Sequence, residues 1–526
     1  MKMSSLLYAI PLIALFGACR TDHSKTSSNK TVSFACDEDI GTIDPRKARN
    51  LITINACSLF FEGLFETASD GTIKPALVGE YSISPDQKIY TFTLRKAEWS
   101  DGLPITAHDV VASWQAALSS PVRSPNASML FVIKNGRALF DGSVAKEALG
   151  ASALNDHTLQ VELEQPVPYF LKLLACHPFL PLPHVTQDSR ELEWRSCAYS
   201  GPFVVASWKP SSELILRKNE HYWNRDRIQI DEVRFLVLDA GTALTMFETG
   251  ELDWAGSPMA TVPPDAIRAL KASKKLHILN ACGTQFIRAN CTHGPLASKK
   301  LRQALAASID RSNICEHIMQ GGHEPSALLV PPHLGLCPGP ECTQEPKQAL
   351  EDAIKELSIT KEELAKTLSL SFPAKERTQK IALVLQQNWK EKLGLEIRLE
   401  PCEGKIFFEK LSKNDYCMAL GSWIADFADP INFLEVFRRK DNGTNNTGWE
   451  NARYQELLLA SDNAPNQAAR AILLGEAQNI LIDEAPIFPI FHFTYNFVCS
   501  DRVRGCSISP TGLITIKDAT IEDPMP

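Results

Sequence analysis

The 526-residue chain predicts a mixed α/β protein of about three structural units, long enough to leave a cleft between two of them. Three observations predict it: strands that alternate apolar and polar residues, amphipathic helices between them, and one strand–helix–strand run. In chain order, residues 89–95 alternate Tyr90, Phe92 and Leu94 with Thr91, Thr93 and Arg95, a half-buried strand ending at the turn Ser100-Asp101-Gly102. A helix follows, entered at Thr106-Ala107-His108-Asp109 in the manner of a capping box. It carries Val110, Trp114, Ala117 and Leu118 at helical spacing until Pro121 stops it. Residues 299–309 place Leu301, Leu305 and Ile309 on one helical face. Ile381, Leu385, Trp389 and Leu393 form another stripe that ends at Gly394, after which Leu395, Ile397 and Leu399 alternate as a strand. The Pro-rich stretches 178–183 and 331–340 read as surface loops, and no internal repeat is present.

Composition narrows the function. With 54 Lys+Arg against 62 Asp+Glu and no basic block, the chain lacks the electrostatic footprint of a DNA or RNA partner. Beyond the N-terminus the richest apolar run, residues 485–498, is broken by His492, Thr494 and Asn496 and is shorter than the roughly 20 residues of a spanning helix. The N-terminus reads as an export signal: Lys2, an apolar run of 11 residues from Leu6 to Phe16, and then Gly17-Ala18-Cys19. That ending resembles the bacterial lipoprotein cleavage box, although Phe16 stands where the box usually has a small aliphatic residue. It implies removal of residues 1–18 and acylation of Cys19, followed by a polar tether over residues 19–30. The expected location is periplasmic, anchored to a membrane through Cys19. Of the 14 cysteines, Cys337 and Cys342 flank a Pro-Gly-Pro turn and Cys499 and Cys506 bracket a hairpin. Both pairs are candidates for local bridges in an oxidising compartment, the alternative being free thiols.

An ordered series of short segments carries a family resemblance. It runs Thr42-Ile43-Asp44-Pro45, Phe61-Glu62-Gly63-Leu64-Phe65, Tyr90-Thr91-Phe92-Thr93-Leu94-Arg95, Trp99-Ser100-Asp101-Gly102, Pro104-Ile105-Thr106-Ala107 and Asp109-Val110-Val111-Ala112-Ser113-Trp114. Ser200-Gly201-Pro202-Phe203, Glu220-His221-Tyr222-Trp223, Gly250-Glu251-Leu252-Asp253, Leu301-Arg302-Gln303-Ala304-Leu305 and Ser422-Trp423-Ile424-Ala425-Asp426 follow in the same order. The chain resembles the extracellular solute-binding proteins of family 5, the peptide and nickel class of ABC importers, over residues 32–520. The resemblance implies a two-lobed periplasmic-binding-protein fold of the class II, or cluster C, type, with a hinge and an extra small domain. Residues 31–60, 197–281 and 500–526 would form the discontinuous first lobe, 61–196 the extra domain, and 282–499 the second lobe.

The same resemblance implies the site. Asp426 would take the α-amine of a peptide, the two groups being oppositely charged near pH 7. Gly421, Ser422 and Trp423 from one lobe and Arg49, Asn50 and Leu51 from the other would contact the ligand backbone, which pairs as an added strand. The departures are as informative. Asn126 stands where well-studied oligopeptide binders carry a tyrosine, Leu420 and Leu411 stand where they carry arginines, and Gly404 replaces a pocket tryptophan. Arg288 and Arg377 are therefore candidates to replace the lost cations, and Phe407 is a further cleft candidate. Cys282 matches a family cysteine whose usual partner position holds Ile424, so any bridge would go elsewhere, to Cys291 or Cys417.

Other signals are weaker. Ser143-Val144-Ala145-Lys146 and Ser461-Asp462-Asn463 imitate two penicillin-recognising motifs without the third, Lys-Thr-Gly. Cys315, His317, His323, His333, Cys337 and Cys342 lack the spacing of a zinc site. No enzyme activity, metal or cofactor is expected. The reading is a monomeric, lipid-anchored binding subunit that captures short peptides, cell-wall peptides among them, for an ABC permease in the inner membrane. The alternatives are a receptor for murein peptides, nickel chelates or haem, or a surface lipoprotein acting as adhesin or chaperone.

Overall fold

The computed structural model describes residues 30–119, 121–183, 191–292, 294–336, 345–441 and 443–522. The export signal, Cys19, the tether up to residue 29, and Cys337 with Cys342 lie outside the described residues.

One 11-stranded sheet runs through the molecule. Its order is Arg398–Cys402, Ser369–Pro373, Met418–Ile424, His277–Ala289, Ile487–Cys499, Trp254–Gly256, Thr31–Cys36, Glu232–Val237, Glu213–Lys218 and Phe203–Lys209, with Glu324–Pro325 paired to Ile487–Cys499 off this path. The two 13-residue strands at its centre, His277–Ala289 and Ile487–Cys499, pair antiparallel, and their register shifts between Asn280 and Thr284. Ile487–Cys499 continues to Trp254–Gly256, and His277–Ala289 to Met418–Ile424, so the pair joins two halves. Each half has its own core: Phe34, Phe235 and Trp254 in one, Leu305, Phe372 and Trp389 in the other. This is the two-lobed α/β arrangement. The register of the two long strands shifts between Asn280 and Thr284, and the second of them ends at Cys499.

Local sequence explains the elements. Ser369–Pro373 and Arg398–Cys402 are parallel neighbours joined by the helix Glu376–Leu393, the predicted strand–helix–strand unit. Gly394 ends that helix at φ 66°, a left-handed turn that costs glycine little. The strand begins at Arg398 rather than Leu395 because the Leu395 amide donates to Trp389 O and Ile397 O accepts from Gln386. Residues 61–196 carry a separate four-stranded sheet, ordered Val78–Ile83, Ile89–Leu94, Thr158–Glu162 and Ala151–Asn155. The helix Ala107–Leu118 packs against it, with Thr106 and Asp109 capping each other reciprocally. The predicted helix at 299–309 is Lys299–Ala307.

One expectation is overturned. The 178–183 stretch is buried rather than a surface loop, because Trp114 Nε1 donates to Phe179 O at 3.0 Å and the Leu182 amide donates to Ser113 Oγ at 2.8 Å. Several motif residues are spent on the scaffold. Asp44 holds Arg46 through two nitrogens with both side chains buried, and Glu62 accepts from Lys517 Nζ (2.9 and 3.0 Å) and Tyr222 Oη (2.6 Å). Removing one partner of such a pair strands a buried charge. Among the described residues no helix is long and apolar enough to cross a membrane.

Candidate functional site

Two cavities lie along the strand Met418–Ile424. The first, about 320 Å³, brings together Arg49, Asn50, Leu51, Ile54 and Ser58, then Ala175 to His177 with Leu180, then Ile424 to Asp426, and Thr511 with Leu513. Asn50 caps the helix Leu51–Phe60 by accepting from the Thr53 amide at 2.8 Å, which places the start of that helix on the cavity wall. On the opposite wall, the Ala425 amide donates to Cys282 O at 2.8 Å and Cys176 Sγ donates to Asp426 O at 3.5 Å, fixing Asp426 just beyond the strand.

The Asp426 side chain is open to the cavity while the two walls enclose it. That enclosure pushes its carboxyl up to about 6, and the Asn432 side chain opposes the rise. Trp423 Nε1 donates to Asn432 Oδ1 at 2.8 Å, so Trp423 orients the amide that meets Asp426. Among the described residues Asp426 makes no ion pair, and it is the one acid lining this cavity. A carboxylate flanked by two walls without a counter-ion is complementary to a cation. Beside it, His177 is 7% exposed, and burial pushes its imidazole down to about 4, so it is neutral at pH 7. Asn126 stands behind this wall rather than on it: its amide donates to Ala48 O at 2.7 Å and lies 3.0 Å from His177 Nε2.

The second cavity, about 390 Å³, is lined by Gln285 and Arg288, by Phe407, Phe408 and Leu411 of the helix Gly404–Ser412, and by Leu420 to Trp423. Residues 420–424 pair along one edge with Gly283 to Ile287. On the other edge the strand is paired at Met418 and Ala419, to Leu370 and Ser371. Among the described residues that outer edge has no strand partner over 420–424, and Gln285 Nε2 donates to Gly421 O at 2.5 Å. An unpaired strand edge is a template for an extended chain. Arg377 is exposed and lines neither cavity.

The walls also touch each other. Lys172 Nζ donates to Asp429 Oδ2 at 2.9 Å and to Ala428 O at 2.7 Å, and Arg470 holds the same Asp429 through both Nη atoms. Tyr169 stacks on Phe427 with centroids 5.3 Å apart and planes 7° from parallel. These contacts clamp residues 169–176 onto 426–429. The cysteine expectations fare differently: Cys499, Cys506, Cys282, Cys291 and Cys417 are all free thiols here, and Cys282 Sγ lies 3.3 Å from His333 Nε2. Neither the Cys499–Cys506 bridge nor one from Cys282 to Cys291 or Cys417 is made.

The structure thus brings Arg49, Asn50, Leu51 and Asp426 to one cavity, and Gly421, Ser422, Trp423, Arg288 and Phe407 to its neighbour. The sequence reading missed Leu180, which belongs to the 178–183 stretch taken for a surface loop, and Cys176 and His177 just before that stretch. It also missed Gln285 and Asn432, whose roles depend on partners 136 and 9 residues away.

Residues 72–445 match the family described as bacterial extracellular solute-binding proteins, family 5 Middle. The chain is 32% identical over 495 residues to the oligopeptide-binding protein OppA of Bacillus subtilis (strain 168), covering 91% of this chain and 90% of that one. Among solved structures, Haemophilus influenzae OppA in complex with the peptide RPPGFSPFR superposes with a TM-score of 0.81 at 25% identity, covering 94% of this chain and 99% of that one. The unliganded open form of MppA, a periplasmic murein tripeptide binding protein, gives 0.76 at 26% identity over 94% of this chain and 98% of that one. Asp426 and the strand edge over residues 420–424 lie within the residues that match the family model, and the chain belongs to the bacterial extracellular solute-binding proteins of family 5.

Proposed function

We propose that this protein is the lipid-anchored substrate-binding subunit of an ABC importer, capturing short peptides between its lobes and handing them to a membrane permease. The observation that carries the reading is Asp426, an acid without a counter-ion at the end of a strand whose edge is unpaired over residues 420–424. A peptide laid along that edge would place its α-amine at Asp426. Its backbone would bond to residues 421–423, and its first side chain would enter the cavity walled by Leu51, Ile54 and Leu180. Main-chain pairing gives affinity without demanding particular side chains. The register shift between Asn280 and Thr284 supports a hinge in the two central strands, about which the lobes would close. Cys19 would carry the acyl chains that keep the protein at the membrane. The test is calorimetry with tri-, tetra- and pentapeptides and their N-acetylated forms. Free amines are expected to bind and acetylated ones to bind at least tenfold more weakly; equal affinities would remove Asp426 as amine anchor.

A further inference from the structure

We propose that His177 determines specificity in the first cavity: Asn126 holds its imidazole with the proton on Nδ1, and that N–H selects peptides whose first side chain carries an oxygen acceptor. This deepens the peptide reading above and rests on it. Ala48 O can only accept, and the Asn126 side chain meets it at 2.7 Å, so the amide presents its nitrogen there and not its oxygen. The same nitrogen lies 3.0 Å from His177 Nε2 and has a second N–H to give. Burial pushes the imidazole down to about 4, so at pH 7 the ring carries a single proton. The nearby Ala48 carbonyl opposes that fall but takes its hydrogen bond from Asn126. An Nε2–H would set two donors head to head across 3.0 Å, so Nε2 accepts and the proton is on Nδ1.

That N–H is unspent. His177 is 7% exposed and lines the first cavity, and its Nδ1 makes no hydrogen bond among the described residues yet is not sealed from solvent. Asn126 acts as a positioning residue, touching the ring and not the cavity.

The donor stands beside the amine site. His177 follows Cys176, whose Sγ donates to Asp426 O at 3.5 Å, and Leu180 continues the same wall. Leu51, Ile54 and Leu513 line the rest of the space. A ligand with its amine at Asp426 and its backbone along residues 421–423 puts its first side chain among these groups. In a mainly apolar cavity one fixed donor sets specificity. An oxygen acceptor pairs with Nδ1–H, whereas an aliphatic side chain of the same shape leaves it unpaired once the lobes enclose it, and sites of that kind discriminate strongly. Neutrality matters as well, since an imidazolium at this place would repel the ligand amine.

The experiment measures calorimetric binding of Asn-Ala-Ala-Ala and Leu-Ala-Ala-Ala, which are near-isosteric at the first position, and of their N-acetyl forms. Wild type, His177→Phe, His177→Asn and Asn126→Leu are compared. Wild type is expected to bind the Asn-first peptide about 5- to 100-fold more tightly than the Leu-first one. His177→Phe should bind the two alike. His177→Asn puts an amide N–H close to the place of Nδ1 and should regain part of the preference, which a space-filling role would not do. Asn126→Leu frees the ring to carry its proton on either nitrogen and should narrow the preference. Equal binding of the two free peptides by wild type overturns the assignment without needing any variant to fold, as does a preference that survives in His177→Phe. Loss in both His177 variants overturns the donor, and a preference untouched by Asn126→Leu overturns the lock. Equal binding of Asn-first and Leu-first peptides, with both weakened by acetylation, leaves the peptide reading standing; failure of every peptide overturns both.

Discussion

Replacing Asp426 by Asn removes one charge and almost no volume, and the consequence follows from the cavity around it. Truncating one partner of a buried, hydrogen-bonded charge pair costs about 2–5 kcal/mol, roughly 30- to 3,000-fold in affinity. Two features place Asp426→Asn in the upper half of that range. No second acid lines the cavity to take over, and Arg49 lines it, so the amine of a bound peptide would face a net positive wall. The expectation is a loss of at least about 300-fold for a free tetrapeptide. An N-acetylated tetrapeptide, which has no amine to lose, should bind wild type and variant equally weakly. Folding is controlled by the opposite sign of the stability effect. The folded carboxyl sits at about 6, above its ordinary 3.8, so its contribution to stability is complete below pH 3.8 and is lost as pH rises through 6. Asp426→Asn removes that loss, and the ligand-free variant should melt at or above wild type at pH 8, with the gap closing toward pH 4. Titration calorimetry with both peptides and melting curves across that pH range make the measurement. A variant that binds the free tetrapeptide within threefold of wild type refutes the reasoning, and so does one that weakens free and acetylated peptides alike.

Further outcomes are expected. Affinity for free-amine peptides should fall by about tenfold per unit as pH drops below 6, because Asp426 must shed a proton to hold the amine; calorimetry in two buffers of different ionisation enthalpy should show that proton released on binding near pH 6. Lys172→Met removes the bond across the walls while Asp429 keeps Arg470, so peptide affinity should drop by about 1 kcal/mol, roughly fivefold, with a larger ligand-free radius of gyration by small-angle scattering. An unchanged radius would contradict the clamp. Lys517→Met strands the buried Glu62 and should cost about 3–5 kcal/mol in urea denaturation, against less than 1 for exposed Lys347→Met.

Local elements were legible because their causes are local. The capping pair Thr106 and Asp109, the Gly394 stop and the alternation at Tyr90, Phe92 and Leu94 are written within a few residues of the structure they make. Asp426 was legible through a segment resemblance, and its enclosure could not be read because the enclosing Cys176 and His177 lie 250 positions away. The 178–183 stretch misled for the same reason: its prolines signal irregular backbone, while the bonds from Ser113 and Trp114 that bury it depend on the fold.

Native mass spectrometry of the soluble form beginning at Arg20, purified gently and with any released ligand sequenced, tests peptide capture most directly. The account predicts adducts of short peptides with a free amine that disappear in Asp426→Asn. A protein that emerges without ligand and also takes up nothing from a mixed peptide library would contradict it.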